Sequence, residues 1–517
     1  MSAAPQSTHS RLWGLLARRR ADRSRDQGGV GTEPELPRDE AEVPPGAEPA
    51  GLSRADQLVV VVLTGVQLIL VFDFSLVTVA LPKIQTGLAF SHASLQWVVT
   101  AYTLTYGGFL LVGGRVADYY GRRRVFVASV LGFLLASVVA GLAVSRLMLV
   151  GARGLQGVMA AAAAPAALSL LTTRFTNRPR RQRALAIYGA VAAIGFPVGS
   201  LVGGIVTSVA GWRAVFFVNV PIGLALVAAA GITLPPDRLP PRRGSFSLIS
   251  AVFATCGVGA LILGFATAAA GHTSRVVGYL LLSAVLVSIF IATERRTDLP
   301  LVPRGAAAGR AFLGSASALA LASATDGGVV YLTVLRLEQV LGYSAIQAGL
   351  FFLLPGIAAV SGGFAAAGLM ARVGSRRTLM TGLWFEGAGV ILLAEMPFGG
   401  NALTLLAGNA LDAFGLVIAV VAATVTLTSE TRAGDQGVAG GLVNASTQLG
   451  IALGIALFVA AAASAVSHDA GLANVAVGAT HATEGFRRAM ASGVGLVALG
   501  TVGVLIIPGH PGARQAV

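Results

Sequence analysis

Charged residues are scarce in this 517-residue chain, with 12% Asp, Glu, Lys and Arg against 55% hydrophobic residues. Soluble domains carry about twice that charged fraction, so the composition excludes a water-soluble globular protein. The single Cys256 excludes an intrachain disulfide. His272, His468 and His481 show no metal-ligand spacing. Without a phosphate-binding loop or a Ser/His/Asp set, we expect neither an enzyme nor a bound cofactor.

Long hydrophobic runs dominate the chain, whose mean hydropathy is +0.76. There are fourteen such runs of about 18–27 residues, each long enough to cross a hydrocarbon core roughly 30 Å thick. They lie at 57–80, 96–113, 125–143, 147–171, 184–207, 214–234, 246–268, 276–293, 309–334, 346–370, 378–396, 401–427, 437–463 and 488–507. We therefore predict an all-α integral membrane protein with fourteen transmembrane helices.

Two predicted tails flank these runs. Residues 1–56 are rich in Pro, Gly and charge without an apolar period, which predicts a disordered cytoplasmic tail. A basic cluster at 11–25 includes Trp13, so this part either rests on an anionic membrane surface or stays solvated, and solvation is favoured. No cleavage site follows an uninterrupted apolar core, so a signal peptide is not expected. Residues 508–517 are predicted to form a second cytoplasmic tail.

Basic residues are unevenly divided between the two sides of the predicted bundle. Connectors on the N-terminal side and the C-terminal tail hold 21 Lys and Arg residues, whereas the opposite connectors hold 7. Cytoplasmic loops carry such an excess, so both termini are predicted to lie on the inner side of a cytoplasmic membrane. The net charge of +14 is accordingly attributed to orientation and not to nucleic-acid binding.

The connector at 113–124 reads GGRVADYYGRRR and is strongly basic. Gly114 and Gly121 are predicted to permit turns on either side of Asp118. An acid serves no purpose in a signal that only sets topology, so the pattern indicates a further role. The basic cluster consists of Arg122, Arg123 and Arg124.

A weak internal repeat relates the two parts of the chain. Residues 367–377, AGLMARVGSRR, align without gaps on the first connector, with Gly374 matching Gly121. Ala371 stands where the first copy has Asp118, so the second copy keeps the turn and the positive charge but lacks the acid. Two related halves that move around a midplane cavity are a common transporter plan.

Two opposite charges fall within predicted membrane runs. Asp73 lies in the first run and Arg153 in the fourth, each about 10 Å below the outer end at 1.5 Å per residue. A charge at such a depth costs at least about 2.5–3.5 kcal/mol on insertion scales, so it needs a partner or a function. We hypothesise that Asp73 alternates between pairing with Arg153 and carrying a proton. The alternative is a static ion pair.

Three more acids lie in the second half of the chain. Each of Asp326, Asp412 and Glu386 is a candidate for a second proton-coupling site or for meeting a cationic substrate. Glu386 is predicted nearer the cytoplasmic end, where it lines the substrate cavity or simply reaches the headgroups. Arg336 and Glu338, at an outer helix end, are interpreted as a gate or as a solvated lip, and the lip is favoured.

Several motifs resemble those of the fourteen-helix drug:proton antiporters of the major facilitator superfamily. The connector at 113–124 is similar to the family's loop signature, and 73–82, DFSLVTVALP, to its first-helix signature. Residues 149–157, LVGARGLQG, resemble the superfamily's buried-arginine motif. Further similar stretches lie at 212–223, 341–349 and 444–450.

The fifth run resembles the antiporter motif of this family. Its members are Gly195, Pro197, Gly199, Ser200, Gly203 and Gly204. Ser200 stands where the motif has proline, so uniport or symport stay open beside antiport.

The resemblance implies two six-helix halves, at 57–234 and 301–507, with a helix pair at 235–300 inserted between them and peripheral to transport. It also implies that the first connector is a conformational latch, in which Asp118 and the arginines bond across to neighbouring helix ends. Polar residues within the runs are either substrate-cavity contacts or hydrogen bonds between helices. These are Gln156, Asn219, Glu386, Asn444 and Gln448.

The function implied is export of small hydrophobic compounds, neutral or cationic, such as drugs or antibiotics. The proton gradient is the expected energy source. One alternative is an exporter of an endogenous lipid, siderophore or metabolite. Another is a membrane sensor or scaffold that does not transport. The expected partners are the substrate, protons and the lipid bilayer, without nucleic acid. A monomer is compatible with the sequence, which leaves the oligomeric state open.

Overall fold

The computed structural model describes residues 53–175, 178–237, 248–268, 273–297, 310–395, 402–429, 436–464 and 475–505. These residues are almost entirely helical, and no strand occurs among them. The predicted all-α class is confirmed. Both predicted tails lie outside the described residues, except for 53–56, where the first helix begins.

Fourteen long helices follow one another in the described part of the chain. The first seven are α1 Arg54–Gly87, α2 Trp97–Tyr120, α3 Arg122–Gly141, α4 Arg146–Arg174, α5 Arg178–Ala210, α6 Asn219–Thr233 and α7 Leu248–Ala268. The others are α8 Thr273–Arg296, α9 Arg310–Leu335, α10 at 353–373, α11 at 375–394, α12 Ala402–Ser429, α13 Gln436–Ala463 and α14 Val475–Leu505. The short helices Ala214–Phe217 and Ala345–Phe351 precede α6 and α10.

Membrane spans can be recognised among these helices by length and composition. Within the described ranges, ten helical segments are long and apolar enough to cross a membrane, and one of them, Ala345–Ala394, contains two limbs. Ile194–Ala210 and Ile249–Phe265 are shorter apolar helices. The chain is therefore a multi-pass membrane protein, and its helices are consistent with the fourteen predicted runs.

Single glycines separate α2 from α3 and α10 from α11. Gly121 has φ 103° and Gly374 has φ 81°, a region that glycine enters at little cost and other residues rarely adopt. The predicted correspondence between these two positions is thus visible in the backbone. We call the end of the bundle with these glycines the latch end, and the opposite end, with 88–96 and 341–344, the far end.

The prediction of a second turn at Gly114 was wrong. α2 continues through Gly114 to Tyr120, so the connector is a break of one residue rather than a long loop. The residues between the two glycines accept helical geometry, and only Gly121 adopts a positive φ. Gly113 instead permits close packing of α2 on α4, because a Cβ there would overlap the backbone at Ala161.

The helices form two groups, α1–α6 and α9–α14, that meet where α2 packs on α13 and α5 on α10. α7 packs against both α2 and α13, so it covers one line along which the groups meet. α8 packs mainly on α7, and only 6% of its most apolar window is buried within the protein. Most of its surface therefore faces lipid.

The second line of contact closes the far end. The backbone at Ser200 in α5 lies so close to Gly349 that a Cβ on the glycine would overlap it. Next to this contact, the rings of Phe196 and Phe352 meet edge to face with 5.7 Å between their centroids. The two helix groups are therefore tightly joined at this end.

Candidate functional site

Asp73 of α1 and Arg153 of α4 form an ion pair inside the first helix group. Nη1 of Arg153 donates to Oδ2 of Asp73 at 2.5 Å, and both side chains are 0% exposed. α1 and α4 are predominantly apolar at this depth, so neither charge has water as an alternative partner. The structure therefore brings together the two residues on which the proton-switch hypothesis rests.

Neutral polar groups complete the shell of Asp73. Oδ1 accepts hydrogen bonds from Nδ2 of Asn219 at 2.7 Å and from Nε2 of Gln156 at 3.2 Å. The same Gln156 nitrogen donates to Oγ of Ser137 at 2.8 Å, which ties α4 to α3. Helices α1, α3, α4 and α6 thus meet at one carboxyl group. The Asp73 carboxylate accepts from each of Arg153, Gln156 and Asn219.

The guanidinium of Arg153 is held on its other sides as well. Nε donates to the backbone oxygen of Val98 at 2.9 Å, and Nη1 also donates to Oε1 of Gln156 at 2.9 Å. The charged carbon lies 4.5 Å from the ring centroid of Tyr102, a cation–π contact with α2. Only Nη2 of Arg153 and Oδ1 of Asn219 in this network have no partner. A change at Asp73 would therefore alter contacts made by five helices.

Two predicted cavity residues belong to this network instead. Gln156 and Asn219 are 0% exposed and direct their amide groups at Asp73. Gln156 lies three residues after Arg153, on the same helix face, so its spacing could have indicated this role. Asn219 begins another helix and Ser137 lies in α3, and neither position carries such a signal.

The bonds of the predicted latch reach two neighbouring helices. Asp118 of α2 accepts hydrogen bonds from Nε and Nη2 of Arg122, the first residue of α3, at 3.1 and 2.9 Å. Nη2 of Arg123 donates to the backbone oxygen of Gly231, near the end of α6, at 2.8 Å. The expected bonds to neighbouring helix ends are thus present, and the latch role itself stays a prediction.

Asp237, which the sequence reading did not single out, caps the helix after the latch. Its two carboxylate oxygens accept from the backbone nitrogens of Arg123 and Arg124, each at 3.0 Å. An acid at a helix N-terminus satisfies free N–H groups and complements the helix dipole. The segment that follows α6 is thereby fixed to the start of α3.

The glycine motif of α5 provides two packing faces. Gly195, Gly199 and Gly203 lie against α1, where a Cβ on Gly199 would overlap Oγ of Ser75. The other face contacts the second helix group, with Pro197 against Gly356. Gly204 also contacts this group, at the backbone of Ala345. Ser200 is buried, and its Oγ donates to the Phe196 backbone oxygen at 3.0 Å, within the same helix.

The acids of the second half also meet one another. Asp326 of α9, Glu386 of α11 and Asp412 of α12 lie close enough to interact electrostatically. The backbones of α11 and α12 approach closely beside Glu386 and Asp412, and Asp412 is 1% exposed with its Oδ1 unpartnered. Glu386 is 0% exposed, so the prediction that it reaches the headgroups was wrong. It lies eleven residues from the start of α11 at 375, the latch end at which the prediction placed it, about 16 Å and too deep for its side chain to span. Its place in a substrate cavity stays a prediction.

The remaining predicted residues divide into accessible and buried ones. Asn444 is exposed on α13, and Gln448, one turn further, is half-buried where α13 meets α2. Arg336 is 3% exposed, with its charged carbon 4.8 Å from the ring centroid of Phe486, so the solvated-lip interpretation was wrong for this residue. The apolar body of Phe486 covers it.

Known proteins of similar sequence include resistance and export proteins. The sequence profile described as Major Facilitator Superfamily matches residues 63–455. The puromycin resistance protein pur8 of Streptomyces alboniger is 37% identical over 86% of this chain and 89% of its own length. The cephamycin export protein CmcT of Amycolatopsis lactamdurans is 36% identical, covering 77% of this chain and 83% of its own. The multidrug resistance protein Stp of Mycobacterium tuberculosis is 32% identical, covering 78% of this chain and 75% of its own length.

Solved structures share the fold at low sequence identity. A bacterial homologue of the human lysosomal transporter Spinster, in an inward-facing and occupied conformation, has a TM-score of 0.62 at 17% identity, covering 88% of this chain and 97% of its own. The profile match extends over more than half of the sequence, and it includes both helix groups. The chain therefore belongs to the Major Facilitator Superfamily.

Proposed function

We propose that this protein is a proton-coupled exporter of small hydrophobic drugs or antibiotics in the cytoplasmic membrane. Three relatives that each cover three quarters or more of this chain are named for resistance to, or export of, such compounds. The observation that supports the mechanism is the buried Asp73–Arg153 pair. Five helices of one group contribute to the contacts around this pair. An intramembrane ion pair so well partnered is costly to build and indicates function.

The transport cycle follows from what a proton does to this network. On protonation Asp73 loses its charge, so its attraction for Arg153 falls, and one carboxyl oxygen becomes a donor facing the Gln156 and Asn219 donors. α1, α4 and α6 are then free to shift relative to one another. The latch end, with its excess of arginine, is assigned to the cytoplasm. Because the far end is closed by α5 and α10, this conformation would load substrate from the cytoplasmic side.

Substrate would bind between the two helix groups. Asn444 and Gln448 are accessible polar groups on α13, and Asp326 is half-buried on α9. The α5–α10 contact would have to open to release the compound. Tight packing of small residues at Gly204 and Gly349 suits a contact that forms and separates as a rigid surface.

Export of a self-made compound is a second candidate. One relative is named a cephamycin export protein, and another, from Streptomyces coelicolor, a probable actinorhodin transporter. The same proton-driven cycle would serve a compound that the cell itself makes. Comparing wild-type and knockout producer cells for retained small molecules separates this role from defence against external drugs.

The test of proton-coupled export uses ethidium and puromycin as probes. Proteoliposomes with wild-type protein should accumulate ethidium when a pH gradient is imposed, and Asp73→Asn should abolish this gradient-driven uptake. Cells with wild type should tolerate puromycin better than cells with Asp73→Asn. Glu484→Gln, which removes an exposed acid paired with Arg488, is the control and should behave as wild type. Gradient-driven uptake by a well-folded Asp73→Asn protein would contradict the mechanism.

A further inference from the structure

The second helix group contains its own buried acid pair at a position related to Asp73. Asp326 follows Asp73 by 253 residues, the same interval that separates Gly374 from Gly121. In the first group, Asp73 of α1 faces a residue of α4, Arg153. In the second, Asp326 of α9 faces a residue of α12, Asp412. The internal repeat thus places an Asp–Asp pair where the first half has an Asp–Arg pair.

Asp412 is 1% exposed, and its Oδ1 has no hydrogen-bond partner. Asp326 lies close enough to interact with it electrostatically. Two neighbouring buried carboxylates repel each other, which is why acid pairs share one proton. The Asp326–Asp412 pair therefore holds at least one proton.

Glu386 adds an independent observation. It is 0% exposed, neither of its oxygens has a hydrogen-bond partner, and it interacts electrostatically with both aspartates. The backbones of α11 and α12 approach each other closely beside it. A Cβ on Gly415 of α12 would overlap the Glu386 backbone, and one on Gly389 would lie 2.6 Å from the oxygen of Gly408. An unpartnered charge in such a place is far too costly, so this side chain also requires a proton.

No described cation is available to the three acids. α13 has no titratable residue, and those of α14 lie at 481–488, towards the far end. On α9, Arg336 is ten residues beyond Asp326, about 15 Å along the helix. Asp73, the charged residue of α1 at this depth, is engaged by Arg153. No group of three or more acids, histidines or cysteines in the described ranges has metal-site geometry.

We propose that Asp326, Asp412 and Glu386 form a second proton-binding site, which adds a proton to each transport cycle. The inference rests on the proposed function and concerns its stoichiometry. Asp326 is half-buried, whereas Asp412 is 1% exposed, so the proton enters from water at Asp326. An O–H bond forms there as hydronium becomes water. The proton then passes from Asp326 to Asp412, so that one O–H bond breaks as the other forms.

The first test needs no substrate. Infrared spectra of purified protein in lipid, recorded near neutral pH, report protonated carboxyl groups by their C=O stretching band. Wild type should show this band, and Asp412→Asn and Glu386→Gln should each lose intensity from it. Asp73→Asn should leave the cluster's contribution in place. Glu484→Gln, in an exposed ion pair, is the control for removing an acid elsewhere in the same half. Spectra of both cluster variants identical to wild type would overturn the proposal.

The second test measures stoichiometry in proteoliposomes. The pH gradient that balances a fixed ethidium gradient gives the number of protons moved per ethidium. Asp412→Asn should lower this ratio by one proton while transport continues through Asp73. An unchanged ratio would overturn the second site and leave the Asp73 mechanism intact. Failure of the proposed function would appear differently, as no gradient-driven ethidium uptake by the wild-type protein.

Discussion

The two halves of this transporter bury acids in opposite ways. In the first, Asp73 accepts hydrogen bonds from Arg153, Gln156 and Asn219, and the positive charge of Arg153 balances the negative charge of Asp73. In the second, Asp326 and Asp412 face each other, and Glu386 has no hydrogen-bond partner. A buried acid can thus be accommodated by a cation or by a proton, and one pseudo-symmetric fold uses both.

The largest expected effect comes from removing the cation of the first site. Arg153→Met leaves Asp73 buried without its counter-charge, which should lower the free energy of unfolding by about 3–5 kcal/mol. Thermal unfolding in detergent measures this loss. The double variant with Asp73→Asn should recover much of it. If the single variant were as stable as wild type, charge balance would not distinguish the two halves.

A smaller loss is expected when a neutral partner of Asp73 is removed. Asn219→Ala deletes one donor to the carboxyl, and hydrogen bonds to charged groups contribute about 1.5–3 kcal/mol. Asn219→Asp keeps the side-chain size but places a second acid beside Asp73, so it should reproduce the arrangement of the second half and be less stable than Asn219→Ala. Thermal unfolding compares the variants with wild type. Asn219→Ala as stable as wild type would show that the donor is unimportant, and equal stability of the two variants would show that the second acid costs nothing.

The matching glycine breaks offer a further comparison. The new Cβ in Gly374→Ala would have no atom within 4 Å. Only the left-handed backbone opposes the substitution, which should lower the free energy of unfolding by about 1–2 kcal/mol. Gly121→Ala has the same backbone cost and would also overlap the carboxylate of Asp237. We therefore expect the Gly121 variant to be the less stable in a denaturant titration. The reverse order would mean that Asp237 moves aside easily.

The smallest expected change has the opposite sign. Glu386→Leu replaces an unpartnered buried acid by an apolar side chain of similar reach, so the free energy of unfolding should stay unchanged or rise. Thermal unfolding measures this change in the free energy of unfolding, and Glu484→Gln is the control variant. Clear destabilisation would show that Glu386 has a stabilising partner after all.

Individual residues show how far sequence reasoning extended into the site. Asp73 and Arg153 could be paired in advance, because each is an isolated charge in an apolar run and their depths agree. Asn219 and Ser137 could not be assigned to that pair, since helix packing alone decides which neutral groups face it. Glu386 was placed wrongly, because distance from a helix end says nothing about which neighbours cover it.

The sequence by itself determined the membrane class, the helix count and the glycine breaks. The length of a hydrophobic run, the bias of charge between connectors and the positive φ that a glycine permits are local properties. They do not depend on which helices pack against the segment. Only the tertiary structure decided that Asn219 and Ser137 join the Asp73 network and that Asp237 caps α3. It alone decided that three distant acids meet. The physical reason is that a partner for a buried charge is chosen by packing between helices, over separations that no local pattern records.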